Sequence, residues 1–144
     1  MTVTQRTSQG FGKGRRPSMT DNTPATEDEQ RIEELYEAWI YFDETGDESV
    51  ILSMLADDVV VIPPGKTPII GKEAAADWYR RVDPSDGEWS SRNREIVLGT
   101  DLAVNWITTD GHIRDEDRHY QGIAIYEKRA GEWMLRFDIW NRSD

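Results

Sequence analysis

The side chain with the clearest capacity for chemistry is Asp138, which lies in a run of aromatic and branched residues at 131–141. Side chains on a β-strand alternate between two faces, so one face of this segment would carry Asp138 together with Met134, Arg136 and Trp140. A carboxyl among Met and Trp side chains is unusual for a face exposed to solvent. An apolar pocket raises the pKa of a carboxyl toward the range used in proton transfer. We therefore expect Asp138 to line a cavity as a general acid or base.

Two other interpretations of these residues remain open. Arg136 shares the predicted face with Asp138 and would keep it ionised, either in a structural ion pair or beside a backbone amide that Asp138 accepts from. Aromatic residues on helix faces belong to a core as readily as to a ligand site. With those alternatives open, the predicted substrate pocket consists of Tyr36, Trp39, Val61, Pro63, Trp78, Tyr126, Arg136 and Trp140.

The composition of the chain limits the classes of partner that it can bind. Its 144 residues suffice for one domain, and 28 acidic against 17 basic residues give a net charge of −11. Such a charge repels phosphate groups, so we expect neither nucleic acid nor an anionic membrane surface as a partner. There is no cysteine, no apolar run long enough to span a membrane and no signal-peptide pattern. These observations predict a cytoplasmic protein.

No motif for a cofactor or a metal is evident. His112 and His119 flank the acidic run 115–117, which could suggest a metal site, but their spacing fits no common ligand pattern and such a run is normally solvated. Glycine-rich phosphate loops are absent too. We expect neither a metal nor a cofactor.

The first 24 residues differ from the rest of the chain. They are basic, with four Arg or Lys residues against the single acid Asp21, and are rich in Gly, Ser and Thr. Such a segment has too little apolar surface to offset the entropy of ordering. We predict a disordered basic leader over 1–24, with Met1 or Met19 as the start, followed by one domain over 25–144.

The elements that must position the candidate site begin with helices. Thr26 followed by Glu29 is a capping-box pattern, and apolar residues then recur at helical spacing to about residue 44, with Gly46 as the stop. A short helix is predicted over 48–55, a buried β-branched strand over 59–62, and a third helix after Gly71.

The remainder of the chain has β character. Predicted strands near 89–99, 102–109, 118–128 and 132–141 are separated by turns at 99–101, 110–111 and 129–131. Consecutive strands with short turns favour an antiparallel meander. Three helices followed by a meander predict an α+β fold with the helices on one face of a curved sheet.

Four short motifs in this order resemble the nuclear transport factor 2-like superfamily, in its SnoaL-like and ketosteroid isomerase-like branches. They are Gly46-Asp47, the segment 55–65 (LADDVVVIPPG), the segment 70–74 (IGKEA) and the segment 131–141 (GEWMLRFDIWN). The resemblance covers roughly residues 27–142. It implies a cone-shaped, mainly antiparallel sheet wrapped round three helices, a pocket at the open end, and dimerisation through the outer face of the sheet.

The resemblance also constrains the chemistry. The catalytic groups of the steroid isomerases fall on Pro63, Trp39 and Ala124 (or Ile123), which lack them, so steroid isomerase activity is not expected. The catalytic Asp of the SnoaL-like cyclases matches Asp138, whereas their His falls near Ala124.

Taken together, the sequence predicts a domain that binds a small hydrophobic molecule. It would be an isomerase, cyclase or hydratase that uses Asp138, or alternatively a non-catalytic ligand-binding or dimerisation module. The opposite face of the last strand would be an apolar patch that a homodimer covers. Its predicted members are Ile123, Ile125, Trp133, Leu135, Phe137 and Ile139.

Overall fold

The computed structural model describes residues 4–6, 26–82 and 87–143, with the backbone alone described at 4–6 and 93. Within these ranges no helix is both long and apolar enough to cross a bilayer. The elements in chain order are β1 (Thr4–Arg6), α1 (Glu27–Thr45), α2 (Ser49–Ser53), β2 (Leu55–Ile62), β3 (Ile69–Ile70), α3 (Lys72–Arg81), β4 (Glu88–Leu98), β5 (Leu102–Ile113), β6 (Glu116–Arg129) and β7 (Glu132–Arg142).

Helix α1 begins and ends where the sequence predicts. The Thr26 side chain accepts a hydrogen bond from the backbone N–H of Glu29 at 3.1 Å, which satisfies one of the N–H groups left free at a helix start. At the other end Gly46 adopts φ 74°, the left-handed conformation that closes many helices. The first turn is fixed to the sheet, because Asp28 accepts hydrogen bonds from the Trp133 indole N–H at 2.9 Å and from Lys128 at 3.0 Å.

The strands form one sheet in the order β1-β4-β5-β6-β7-β2-β3. Neighbouring strands are antiparallel except β2 and β7, which are parallel. The α+β class is therefore confirmed, with a mixed and mostly antiparallel sheet. Strand β2 begins at Leu55, four residues before the predicted start, because Leu55 pairs with Leu135 of β7 ahead of a register shift.

Strand β1 corrects part of the prediction of a disordered leader. Residues Thr4–Arg6 pair antiparallel with 96–98 of β4. The edge of β4 offers unpaired backbone N–H and C=O groups that accept any extended segment, whatever its apolar content. The prediction was based on side-chain composition and could not account for this backbone pairing. The rest of the predicted leader, residues 1–3 and 7–24, lies outside the described residues.

The turn predicted at 110–111 is wrong. Strand β5 continues through Gly111 to Ile113, and the reversal uses Arg114 and Asp115, with φ 51° and 66°. Two consecutive residues with positive φ form the tight hairpin turn whose twist matches the flanking strands. Gly111 instead makes room for the Trp89 ring, since a Cβ atom at this position would overlap that ring.

The inner face of the sheet packs against the helices, and a bulge in β7 decides which side chains reach it. Tyr126 of β6 pairs with Leu135, whereas the neighbouring Ile125 pairs with Phe137, so Arg136 is an extra residue. The bulge shifts the alternation by one. The uniform alternation predicted for residues 133–140 is therefore wrong in its first half.

Side chains on the two sides of the bulge share the inner face. Trp133 and Leu135 are buried in the core, although we predicted them on the outer face. Asp138 and Trp140 lie on the inner face as predicted, opposite Ala124 and Gly122 of β6. Met134, predicted to face the cavity, is instead part of the strand's other face and packs at the edge of the core.

Candidate active site

A cavity of about 430 Å³ lies between the helices and the inner face of the sheet. Its walls combine side chains from α1, α3 and the four long strands. The lining residues are Tyr36, Trp39, Phe42, Asp43, Trp78, Tyr79, Val82, Trp89, Ser91, Ile107, Thr109, Ile113, Tyr120, Gly122, Ile123, Ala124, Asp138 and Trp140.

Helix α1 contributes one face to this wall. Tyr36, Trp39 and Asp43 follow one another at intervals of three and four residues, which places them on the same side of a helix. The ring of Trp39 packs edge-on against Tyr79 of α3, with ring centres 5.4 Å apart. Edge-on aromatic contacts of this kind fix ring orientation as well as burying area. The two helices therefore hold a rigid aromatic surface over the sheet.

On the sheet side, small residues leave the space for the cavity. Ala124 lies beside Asp138, and Gly122 lies beside Trp140. A Cβ atom on Gly122 would stand 2.9 Å from the Ile139 carbonyl oxygen and 3.0 Å from the Trp140 Cβ atom. Larger residues here would push Trp140 or fill the cavity.

Asp138 is held by a single hydrogen bond from another buried side chain. The Tyr79 hydroxyl donates to Asp138 Oδ2 at 2.5 Å, and no other described residue donates to this carboxyl. Burial raises the pKa of Asp138 to about 6, the Tyr79 hydrogen bond opposes that rise, and the negative charge of Asp43 adds to it. Burial and the charge of Asp138 raise the pKa of Tyr79, so Tyr79 stays a donor. Asp138 is thus poised to exchange a proton near neutral pH.

A second carboxyl, Asp43, faces the same cavity. Its Oδ2 atom accepts a hydrogen bond from the Ser91 hydroxyl at 2.7 Å, and Ser91 lies 2.8 Å from the Thr109 hydroxyl. Burial raises the pKa of Asp43 to about 6 against the effect of Ser91, and the charge of Glu44 adds a smaller rise. Sequence reasoning missed Asp43 as a site residue. The available signal was its place on the helix face of Tyr36 and Trp39.

The structure brings together five of the residues predicted for the site and separates the others. Tyr36, Trp39, Trp78, Asp138 and Trp140 line the cavity.

The remaining four predicted residues do not line the cavity. Val61, Pro63 and Tyr126 are buried in the packing behind it. Arg136 is the bulged residue and lies away from Asp138. Its Nη1 donates to the Asp58 carbonyl oxygen at 2.6 Å, and its Nε lies 3.4 Å from the Asp58 carboxylate. The alternative of an Arg136–Asp138 ion pair is therefore wrong, because the bulge turns Arg136 toward β2.

A buried polar group underlies the cavity floor. Asn105 is fully buried and lies on the inner face in the row of Ala124 and Asp138. The Asn105 amide, the Tyr126 hydroxyl and the Trp39 indole N–H make no hydrogen bond of good geometry. Burial raises the pKa of Tyr126 and the charge of Asp138 raises it further, while Trp39 and Asn105 act in the opposite direction. The floor therefore holds neutral polar groups close to a buried charge.

The two histidines take part in carboxylate pairs at the end of the sheet. His112 Nδ1 lies 2.8 Å from Asp117, and His119 Nδ1 lies 2.8 Å from Asp110. In the described part of the chain no group of three or more His, Cys, Asp or Glu side chains is arranged to hold a metal ion.

Comparison with protein families identifies the domain. The model of the SnoaL-like domain matches residues 32–135, which is more than half of the chain. The chain belongs to the SnoaL-like domain family. The match ends before Asp138, so it does not itself include the carboxyl on β7. A search of curated proteins found no match.

Solved structures share the fold of this SnoaL-like domain. A ketosteroid isomerase-like protein from Erwinia carotovora atroseptica has a TM-score of 0.70 at 20% identity, over 83% of this chain and 99% of that one. An NTF2-like protein of unknown function from Pseudomonas putida has a TM-score of 0.67 at 19% identity, over 83% of this chain and 89% of that one. At these identities the likeness concerns the fold alone.

Proposed function

We propose that this SnoaL-like domain is an enzyme of the isomerase, cyclase or hydratase type, which moves a proton on a small, largely apolar substrate. Asp138 is the general acid or base. The observation that carries the proposal is the Tyr79–Asp138 contact: a second polar group converges on a buried carboxyl whose pKa is about 6, inside a cavity with aromatic walls. A carboxyl with only a structural role would gain no stability from facing a cavity.

Each part of the contact has a chemical role. The Tyr79 hydroxyl occupies Oδ2 and fixes the plane of the carboxyl, which leaves Oδ1 to face a substrate. The pKa near 6 lets Asp138 accept a proton at neutral pH and donate it again without a large barrier. The aromatic walls exclude water, which strengthens the electrostatic effect of the carboxyl. Steroid isomerase chemistry is not proposed, because the positions expected for its catalytic groups fall on Trp39, Pro63 and Ala124 (or Ile123), which lack those groups.

The test begins with ligands found by thermal-shift screening of carbonyl compounds with apolar rings, because a compound that binds only the folded state raises its melting temperature. For each hit, NMR in D₂O follows the exchange of protons next to the carbonyl group. Asp138→Asn should slow exchange by about 10²–10⁴-fold while keeping the affinity for an uncharged ligand, as expected for loss of a general base. Asp57→Asn, an exposed carboxyl outside the cavity, is the matched control.

Tyr79→Phe separates positioning from proton transfer. It removes the hydroxyl that holds Asp138 and keeps the ring that packs on Trp39, so the pH profile of exchange should move to higher pH as the pKa of Asp138 rises. If Asp138→Asn exchanges protons as fast as the wild type per folded molecule, the catalytic proposal fails. The domain is then a ligand-binding module.

We also propose that the domain forms a homodimer through the outer face of the sheet. Trp106 and Ile123 are adjacent on neighbouring strands and 43% and 42% exposed, and Ile139 continues the same row on β7. A contiguous apolar patch of this kind is usually covered in a soluble protein. Its described members are Val60, Ile62, Val104, Trp106, Ile123, Ile125, Phe137 and Ile139.

Sedimentation at micromolar concentration tests the dimer. Wild type should sediment as a dimer and Trp106→Glu as a folded monomer, because two copies of a new carboxylate would meet near a two-fold axis. Val50→Glu changes an equally exposed apolar residue on α2, outside the patch, and should leave the dimer intact. A monomeric wild type contradicts the proposal.

A further inference from the structure

The cavity is lined by negative charge without positive charge. Asp43 and Asp138 face it from α1 and β7, and among the described lining residues there is no Lys, Arg or His. Two arginines of the surrounding strands have other partners. Arg92 pairs with Asp110 at 3.1 Å, and Arg136 contacts Asp58. A cation in this cavity would therefore come from the ligand.

Within the described ranges, each of the two carboxyls accepts a hydrogen bond from one neutral side chain. Tyr79 donates to Asp138 and Ser91 donates to Asp43. A carboxylate taken out of water is strongly disfavoured unless a cation or several donors compensate it. Burial with so little compensation raises the pKa of both groups. The site thus has unused capacity to stabilise one positive charge.

Eight of the described lining residues are aromatic. Their faces carry negative partial charge and attract ammonium groups, while their area binds apolar groups. A cavity lined by aromatic rings and by two carboxyls suits a cation with an apolar body. The aromatic lining residues are Tyr36, Trp39, Phe42, Trp78, Tyr79, Trp89, Tyr120 and Trp140.

We propose that the substrate of this cavity is a hydrophobic amine in its protonated form, with the ammonium group between Asp43 and Asp138 and the apolar body against the aromatic walls. This rests on the proposed function, since it names the substrate class of the same site. The ammonium group also holds Asp138 in its ionised form, which is the form that accepts a proton from the substrate.

Calorimetry with three probes of one shape tests the charge preference. The probes are 2-aminoindane, 2-indanol and indane-2-carboxylate, at neutral pH with the full chain. The amine should bind at least about tenfold more tightly than the alcohol, as expected for a hydrogen bond to a charged group. The carboxylate should bind more weakly than the alcohol, because it meets two like charges.

Substitution of each carboxyl tests whether Asp43 and Asp138 bind the ammonium group. Asp43→Asn and Asp138→Asn should each weaken amine binding by about ten- to a hundredfold and change alcohol binding little. Asp57→Asn, outside the cavity, should change neither. The alcohol serves as the folding control, because a variant that still binds 2-indanol has kept the cavity.

Proton linkage gives an independent readout. An ammonium group favours ionised carboxylates, so amine binding near pH 5.5 should release protons and affinity should rise toward pH 7. The other titratable groups close to the two carboxyls are Glu44 beside Asp43 and the hydroxyls of Tyr36, Tyr79 and Tyr126. The raised pKa values of Tyr79 and Tyr126 keep those two phenols protonated in this range.

The outcomes separate the two proposals. Equal binding of the amine and the alcohol, or tightest binding of the carboxylate, overturns the amine proposal and leaves the apolar cavity in place. Amine binding that survives both Asn substitutions also overturns it, because the ammonium group then lies elsewhere. If none of the three probes binds, the amine proposal is wrong, while proton exchange on a screened ligand still decides the proposed function.

Discussion

Replacing Asp138 by Asn should make the protein more stable at neutral pH. In the folded protein the pKa of Asp138 is raised from 3.8 to about 6 because the carboxyl is buried. At pH 7 the folded state therefore holds a charge that the unfolded chain hydrates better. Asn keeps the shape and an oxygen that accepts from Tyr79, but it carries no charge.

The pKa shift sets the size of the effect. A rise of about two units, at about 1.4 kcal/mol per unit, corresponds to roughly 3 kcal/mol at pH 7. Asn brings an amide N–H₂ group that must itself be taken out of water, which offsets part of this gain, so we expect about 2 kcal/mol. The sign follows from linkage: protonation favours the folded state, so wild-type stability is fully present below pH 3.8 and is lost as the pH rises through 6.

Urea denaturation of both proteins between pH 4 and pH 8 measures the difference. The variant should be the more stable one at pH 7, and the gap should close toward pH 4 as Asp138 becomes protonated in the wild type. Groups common to both proteins cancel in this difference. Asp57→Asn should stay within about 0.5 kcal/mol of the wild type. A variant that is less stable at pH 7, or a gap independent of pH, would refute the reasoning.

Three further changes probe other features. Thr26→Ala removes the helix cap and should lower the free energy of unfolding by about 1 kcal/mol in urea titrations, and no loss would show that the cap contributes nothing. Gly111→Ala should displace the Trp89 ring, costing about 1–3 kcal/mol and weakening ligand binding in calorimetry, unless the ring moves freely. Arg136→Met should lose its contact with Asp58 at a cost of about 1 kcal/mol, and an altered pH profile of proton exchange would contradict our placement of this side chain outside the cavity.

Hydrophobic periodicity and the residues that begin and end helices gave correct predictions where the structure depends on neighbours in sequence. The cap at Thr26 and the stop at Gly46 gave the bounds of α1, because both act within one turn of the chain. Turn prediction succeeded at Gly131 and failed at Gly111. Glycine there serves a contact with Trp89, which is distant in sequence.

The candidate site could be predicted only in part for the same reason. Asp138 was found from its aromatic neighbours, but its partner Tyr79 is 59 residues away and no local pattern joins them. Asp43 was missed because a polar residue near a helix end usually faces water. Its burial depends on Ser91, which the fold brings across from β4.

The extra residue Arg136 shifts the alternation of inward and outward side chains along β7 by one position. The alternation is regular on each side of Arg136, but a single alternation drawn across the whole segment assigns one half of it to the wrong face. Deleting Arg136 would give the strand one continuous alternation and keep Leu135 and Asp138 on the inner face, with a straighter strand. Relatives that are one residue shorter here can therefore present the same cavity wall. An alignment of this strand should be anchored on the side chains that face inward, because counting residues from the turn assigns the carboxyl to the wrong side.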